Sequence, residues 1–432
     1  MYKIIGDAGT VWYYDALTNR VYDSNLSPIN LLALPTAQFF TSPDALRARY
    51  ESRLGGYNAL KPEDRVYQYS DDVTDLVVHF GFACNYKCLY CCQRIIPSTP
   101  QAIDIKDFCR RLRSSDINFS ALRTIQLWGG EPLVYWKAVK EFVCYVREHI
   151  PEFTGHFHLT TNAELLDKAK CEFFLDHKVQ LQVSHDGVNQ TLTRHATDWL
   201  DDPDKRELMR WFLTEKRGGD INVTYAPLGN PNLIDTLDYF YDRLGNPFVC
   251  LRAPLRCDAT NAYLMAEYSP EKVEIAKQSF YKILMQDIPD DYVFMCSTTY
   301  PRLQYLGRNI VLGLSPLNIE YNCPSKQRKA LHFDVRGNYI PCHGSSVDMG
   351  HGVGTIDNVK ECYDIGFTSV ANREFCRDCL YTQICQGSCG MADDLNTLIH
   401  CKSMRWAYET WLAAIWTWLF NEKPISIEKD QI

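Results

Sequence analysis

The sequence predicts an α/β fold: six strand–helix units forming a parallel sheet, either open and doubly wound or a partial barrel. A small N-terminal α+β segment precedes it and a cysteine-rich segment follows. Three observations carry this. Short apolar runs recur at Leu76–Phe82, Leu122–Trp128, His156–Thr160, Val179–Ser184, Ile221–Tyr225 and Phe248–Arg252. Helical periodicity fills the gaps between them. Eight of the eighteen cysteines fall between Cys323 and Cys401, where long-range periodicity fades.

Four stretches follow from these patterns: residues 1–70, 71–290, 291–402 and 403–432. In the first, "TVWYYDALTNRVYDS" reads as two strands around a turn at Thr18-Asn19. "SPINLLAL" and "SPDALRARYESRL" read as helices, because Ser-Pro suits the N-cap and first helical position. Strand, turn, strand and two helices make a winged-helix-like pattern. In the second stretch, Trp136, Val139, Val143, Val146 and Ile150 share one helical face. "PNLIDTLDYFYDRLG" behaves likewise and stops at Gly245. In such sheets the loops at the C-terminal strand ends carry the chemistry. In the last stretch, "WLAAIWTWLF" at 411–420 is too short to span a bilayer and reads as part of a core-facing helix beginning near Arg405.

Composition narrows the function. The chain has 432 residues, a net charge of −8 and no dense Lys/Arg run, which disfavours a nucleic-acid partner. "MYKIIGDAGTVWYYD" has no basic start followed by an apolar block, so a cytoplasmic protein without a membrane partner is expected. Reducing conditions then argue against a disulfide framework and for metal or cluster ligation.

The loop "GFACNYKCLYCCQ" at 81–93 follows the first predicted strand. Cys84, Cys88 and Cys91 offer three thiolates, which suits a [4Fe–4S] cluster with one open iron. A structural zinc would want a fourth ligand. Cys92 falls outside the triplet and reads as a packed thiol, with a substitute ligand as the alternative. This spacing resembles the CxxxCx(aromatic)C signature of radical S-adenosylmethionine (SAM) enzymes, with Tyr90 as the aromatic. "LWGGEP", "TTNAEL" and "VSHDG" at the ends of the next three strands resemble further motifs of that family. The resemblance implies a partial (β/α)6 TIM-type barrel. It implies that Gly129, Gly130 and Glu131 hold the methionine amino group, with Asn162 and Ser184 also at the SAM site. Two glycines would let a ligand approach the backbone, and a carboxylate would pair with an ammonium. Ala163 stands where that family's turn usually has glycine.

The late cysteines run Cys323-x13-Gly337-x4-Cys342, then Cys376-x2-Cys379-x5-Cys385-x3-Cys389, then Cys401. With "FDVRGNYIPC" and "GVGTIDN" this resembles the SPASM extension of radical SAM enzymes. That resemblance implies two auxiliary [4Fe–4S] clusters, hence three in all. Cys376, Cys379, Cys385 and Cys401 would ligate one; Cys323, Cys342 and Cys389 the other, with Cys296 or Cys362 as a fourth ligand, or an open iron. Without the resemblance, two zinc sites compete. Cys109, Cys144, Cys171, Cys250 and Cys257 read as packing residues.

The resemblance further implies a 5′-deoxyadenosyl radical that takes hydrogen from a ribosomally made precursor peptide. An intramolecular crosslink results, carbon–carbon (cyclophane-type) or thioether. The partners are a leader-bearing peptide and a flavodoxin- or ferredoxin-type electron donor. "WYYDALTNRVYDSNLSPINLLAL" loosely resembles a winged-helix domain that binds leaders by strand addition. A formylglycine-forming sulfatase maturase and a non-catalytic iron–sulfur scaffold are the alternatives. No residue is assigned as the catalytic acid or base.

Overall fold

The computed structural model describes residues 1–41, 73–93, 96, 103–252, 268–287, 299–314, 329–364, 373–377, 379–385 and 394–429. The chain opens with antiparallel strands β1 (Tyr2–Gly6), β2 (Val11–Asp15) and β3 (Arg20–Tyr22). Asn19 makes the β2–β3 turn with φ 56°, a conformation that Asn tolerates. Its side chain is locked by the Tyr14 hydroxyl at 2.5 Å and the Leu314 carbonyl at 2.7 Å.

The helix expected at 27–34 is instead two short 3-10 turns, Leu31–Ala33 and Pro35–Ala37. Pro35 explains this. It forces Leu34 into an extended conformation (φ −72°, ψ 132°) and breaks the run. The second expected helix, at 42–54, lies outside the described residues.

All six predicted strands form: β4 (Asp75–His79), β5 (Thr124–Trp128), β6 (His156–Thr161), β7 (Val179–Ser184), β8 (Gly219–Thr224) and β9 (Val249–Arg252). A seventh, β10 (Ala330–Asp334), comes from the cysteine-rich stretch and pairs parallel to β4. The open sheet has the order β10-β4-β5-β6-β7-β8-β9 and is parallel throughout. Beyond it, β11 (Gly352–Thr355) and β12 (Asn358–Asp364) form a hairpin. Strand β13 (Pro424–Lys429) returns to pair with β1.

The parallel strands alternate sharply. Leu76, Val78, Ile125, Leu127, Phe157, Leu159, Leu181, Val183, Ile221 and Val223 join the core with the flanking helices. The intervening positions carry His79, Gln126, Trp128, His158, Thr160, Gln182, Ser184, Asn222 and Thr224 on the other face. Parallel sheets covered by an apolar layer on both sides lack this alternation. A polar inner face fits a polar ligand.

The C-terminal helix spans Asp394–Phe420, eleven residues earlier than the expected start at Arg405 (405 − 394). Its first turns bury polar residues, Thr397, His400 and Ser403, so apolar content did not mark them. Further on it is buried nearly all round, by Trp406, Trp411, Ile415, Trp416 and Leu419. Trp416 packs 6.3 Å from Trp12 and 5.5 Å from Tyr14, edge to face, which ties the helix to the N-terminal sheet. Among the described residues no helix is long and apolar enough to cross a membrane.

Candidate active site

The cysteine loop leaves the C-terminal end of β4 and is fastened at three points. The first is the Gly-Gly-Glu turn after β5. Gly130 N–H donates to the Gly81 carbonyl at 2.8 Å, and Glu131 N–H donates to the Ala83 carbonyl at 2.9 Å. A Cβ on Gly129 would stand 2.7 Å from the Gly81 oxygen, and one on Gly130 would stand 2.4 Å from the Phe82 oxygen. What these glycines admit is therefore the backbone of the cysteine loop itself.

The second fastening is the segment after β7. Leu89 N–H donates to the Thr193 carbonyl at 2.8 Å, and the Tyr90 hydroxyl donates to Asp186 at 2.5 Å. Asp186 also accepts from Thr193 Oγ1, Arg194 Nη2 and the Thr224 N–H, at 2.6, 2.9 and 3.1 Å. Arg194 is buried, and its other terminal nitrogen lies 4.0 Å from the Cys88 sulfur. Thus a desolvated cation sits beside the thiols. The third fastening is the turn after β6, where Asn162 Nδ2 donates to Asn85 Oδ1 at 2.7 Å and the Tyr86 hydroxyl donates to Glu164.

Glu131 is buried at the centre of these contacts. It accepts from Leu133 N–H at 2.9 Å, Thr161 Oγ1 at 2.7 Å and Asn162 N–H at 2.7 Å. Burial raises its carboxyl above the ordinary range, and the three donors oppose that. A carboxylate offers about four lone-pair positions, so one more donor can be taken. Ala163 follows with φ 64°, the left-handed conformation that glycine favours.

Burial pushes the Cys84, Cys88 and Cys91 thiols each up to about 11. Bare, they stay protonated at neutral pH; a coordinated metal deprotonates a thiol outright. The three sulfurs perturb one another's ionisation, as one shared site requires, and Cys92 acts on Cys91.

Of the later cysteines, Cys376, Cys379 and Cys385 come together. Cys379 N–H donates to the Cys376 carbonyl at 3.3 Å, and the other two thiols raise that of Cys376, after burial, to about 11. Cys401 lies on the Asp394–Phe420 helix, and Cys342 follows β10, its N–H bonded to Ser345 Oγ at 3.0 Å. Cys362 directs its thiol to the Thr355 carbonyl of its own hairpin at 3.5 Å. Cys323, Cys389 and Cys296 lie outside the described residues. Cys109, Cys171 and Cys250 are buried, and Cys144 lies 3.9 Å from His177 Nε2, as packing residues do. Cys257 is outside the described residues.

Two functional candidates escaped the sequence reading. Arg194 belongs to no motif; a lone arginine seven residues past "SHDG" gives no signal until the fold brings it to the cysteines. Asp186 lies inside a quoted motif, but its role as acceptor for four groups is visible only in three dimensions.

Residues 78–213 match the Radical SAM superfamily. This stretch is similar to the radical SAM domain. A protein of Bacillus subtilis (strain 168), YfkA, is 28% identical over 247 residues, which covers 55% of this chain and 64% of that protein, less than two thirds of its length. Two solved structures share the fold. Native anSMEcpe with bound AdoMet is 16% identical over 79% of this chain and 99% of that one, with a TM-score of 0.53. Native anSMEcpe with bound AdoMet and Cp18Cys peptide is 17% identical over 79% of this chain and 98% of that one, with a TM-score of 0.54. Radical SAM enzymes use SAM and a [4Fe–4S] cluster. The residues here fit both groups. Three thiols share one loop, and the Trp128 Nε1, Thr160 Oγ1 and Asn222 Oδ1 atoms are buried without a hydrogen-bond partner. Buried polar atoms are normally paired, so such orphans on one sheet face mark where a polar ligand belongs.

Proposed function

We propose that this radical SAM protein modifies a side chain of a ribosomally made precursor peptide and installs an intramolecular crosslink. A carbon–carbon, cyclophane-type bond or a thioether is the product. The carrying observation is the cysteine loop, clasped by the ends of β5, β6 and β7 above a polar inner face. When bound, SAM and the cluster supply a 5′-deoxyadenosyl radical that removes a hydrogen atom from substrate. The chain's own residues do the rest. Cys84, Cys88 and Cys91 hold the cluster; Arg194 offsets the thiolate charge from within hydrogen-bonding range of Asp186. Glu131 has room for one ammonium N–H. Ser184, on the inner face at the end of β7, completes the SAM pocket with Asn162 behind it.

A peptide substrate is supported by the neighbour with a bound Cp18Cys peptide. Cys376, Cys379, Cys385 and Cys401 would hold one auxiliary cluster and Cys323, Cys342 and Cys389 a second, and these would supply an electron acceptor for the crosslinking chemistry. A flavodoxin- or ferredoxin-type donor would reduce the first cluster. Residues 1–70 would bind the leader, at the edge of the sheet whose other edge β13 occupies.

The test is anaerobic incubation of reconstituted protein with SAM, dithionite and any short peptide found encoded beside its gene. Formation of 5′-deoxyadenosine and a peptide lighter by two hydrogen atoms, with a crosslink in its fragmentation pattern, is the expected result. Absence of 5′-deoxyadenosine leaves the scaffold reading. An aldehyde at a single Cys or Ser, reactive toward hydrazide, selects the formylglycine reading.

A further inference from the structure

Three histidines converge beside the cysteine loop from separate parts of the chain. His79 ends β4, His332 is central in β10, and His343 follows Cys342. One ring nitrogen from each lies within 4.8 Å of the other two. The strand register explains the first pair. His332 stands opposite Val77 and Asp334 opposite His79, so His79 and His332 emerge on the same face of neighbouring strands, one pleat apart. His343 is held from the other side. Its ring stacks on Trp128 at 3.9 Å, and its carbonyl accepts from Gln93 Nε2 at 2.7 Å.

His79 is 1% exposed, and neither of its ring nitrogens has a hydrogen-bond partner; His332 is 4% exposed, and its Nδ1 has none. A neutral imidazole has one donor and one acceptor, and burying both unpaired is costly. The nearby Asp334 does not answer them, because its oxygens accept from Arg336 and Asn338. Elsewhere this chain does satisfy a buried histidine. His185 accepts from Gly187 N–H at 3.0 Å through Nδ1 and bonds Asp198 at 2.9 Å through Nε2. His79 lacks any such partner, and one ring nitrogen of each of the three histidines lies within 4.8 Å of the other two.

We propose that His79, His332 and His343 bind a divalent transition-metal ion, separate from the cysteine-ligated clusters, with zinc the ion that suits them. Imidazole nitrogen is a preferred zinc donor, and three protein ligands leave a further position for water or a substrate group. The ion would join β4, β10 and the segment after Cys342, on the inner face where substrate is expected.

The test uses the full-length, cluster-loaded protein purified anaerobically, equilibrated with zinc and freed of excess. Elemental analysis should give about one zinc per chain, and zinc-edge X-ray absorption should show nitrogen and oxygen neighbours with the imidazole outer-shell pattern. The iron clusters do not contribute at that edge. His332→Ala and His79→Gln should each weaken zinc binding on the order of 100-fold with the iron content unchanged. A parent protein without zinc, sulfur in the zinc shell, or full zinc retention by either soluble variant would overturn the site. If both variants are insoluble, the parent's absorption spectrum decides alone.

Discussion

The Tyr90 hydroxyl donates to the Asp186 carboxylate at 2.5 Å, joining the middle of the cysteine loop to the end of β7. Asp186 in turn holds Arg194, which points its other nitrogen at Cys88. A hydrogen bond to a charged group is worth roughly 1.5–3 kcal/mol. Tyr90→Phe should therefore lower stability by about that much while the first cluster still assembles. Asp186→Asn should cost more, on the order of 3–5 kcal/mol, because it leaves a buried cation uncompensated. Chemical denaturation and iron content, measured on both variants, check this. Equal losses would remove Asp186 as the hub.

Gly130 separates two explanations of the "GGEP" turn. If its lack of a side chain serves the loop backbone, Gly130→Ala must push Phe82 and Ala83 away, since the added Cβ meets their oxygens at 2.4 and 2.5 Å. The expected outcome is loss of the first cluster, seen as a drop in iron and in the cluster's electron paramagnetic resonance signal. Full cluster content with lost SAM affinity would instead make the glycine a ligand contact.

Cys84→Ala, Cys88→Ala and Cys91→Ala should each abolish SAM cleavage, since three-thiolate ligation has no spare ligand. Cys92→Ala should retain it. Counting 5′-deoxyadenosine by chromatography decides the matter. A Cys88→Ala protein working near the parent rate removes the cluster from this loop.

The six βα strands were legible because each is a short apolar run between helical repeats, and the cysteine loop because its spacing is strict. Strand β10 was not legible: "ALHFD" stands alone in a stretch without alternation, and only its pairing with β4 makes it a strand. Ala163 was noticed as a departure from glycine, and its φ of 64° shows that the turn keeps the glycine conformation regardless. Gly129 and Gly130, expected to admit a ligand, lie against the loop backbone, where an added Cβ would stand 2.7 and 2.4 Å from the Gly81 and Phe82 oxygens. Spacing reveals that a side chain must be absent and not what fills the space. His79 had a signal that went unused: a histidine ending an otherwise apolar strand, at a position that faces inward.

Glu131→Gln should weaken SAM binding and stability together. The carboxylate accepts from two N–H groups and a hydroxyl, and a glutamine amide replaces one acceptor oxygen with a donor facing such donors. One buried N–H left unpaired costs roughly 1–3 kcal/mol, and loss of the charged contact to the SAM ammonium costs a further tens-fold in affinity. Equilibrium dialysis of SAM alongside denaturation separates the two effects. Stability lost with SAM affinity intact would make Glu131 a purely structural carboxylate.

The two auxiliary sites should differ in what they support. Cys376, Cys379 and Cys385 cluster where the N-terminal sheet touches them, with Leu380 N–H bonded to the Tyr2 hydroxyl at 3.0 Å. Cys379 and Cys385 pack against the main core, and Tyr381 donates to Glu409 of the C-terminal helix at 3.2 Å. A cluster there would staple the N-terminal strands, the cysteine knot and the helix carrying Cys401, and metal binding would contribute folding free energy. Cys379→Ala should therefore reduce soluble yield and abolish product. Cys342 has another setting. It follows β10 and precedes His343, whose ring stacks on Trp128 at 3.9 Å. Cys342→Ala should stay soluble and cleave SAM, yet fail to complete the peptide product, because the proposed electron acceptor would be missing. Comparing soluble yield, 5′-deoxyadenosine and crosslinked peptide in the two variants tests this division. A soluble, fully product-forming Cys379→Ala protein would show that its cluster is no staple.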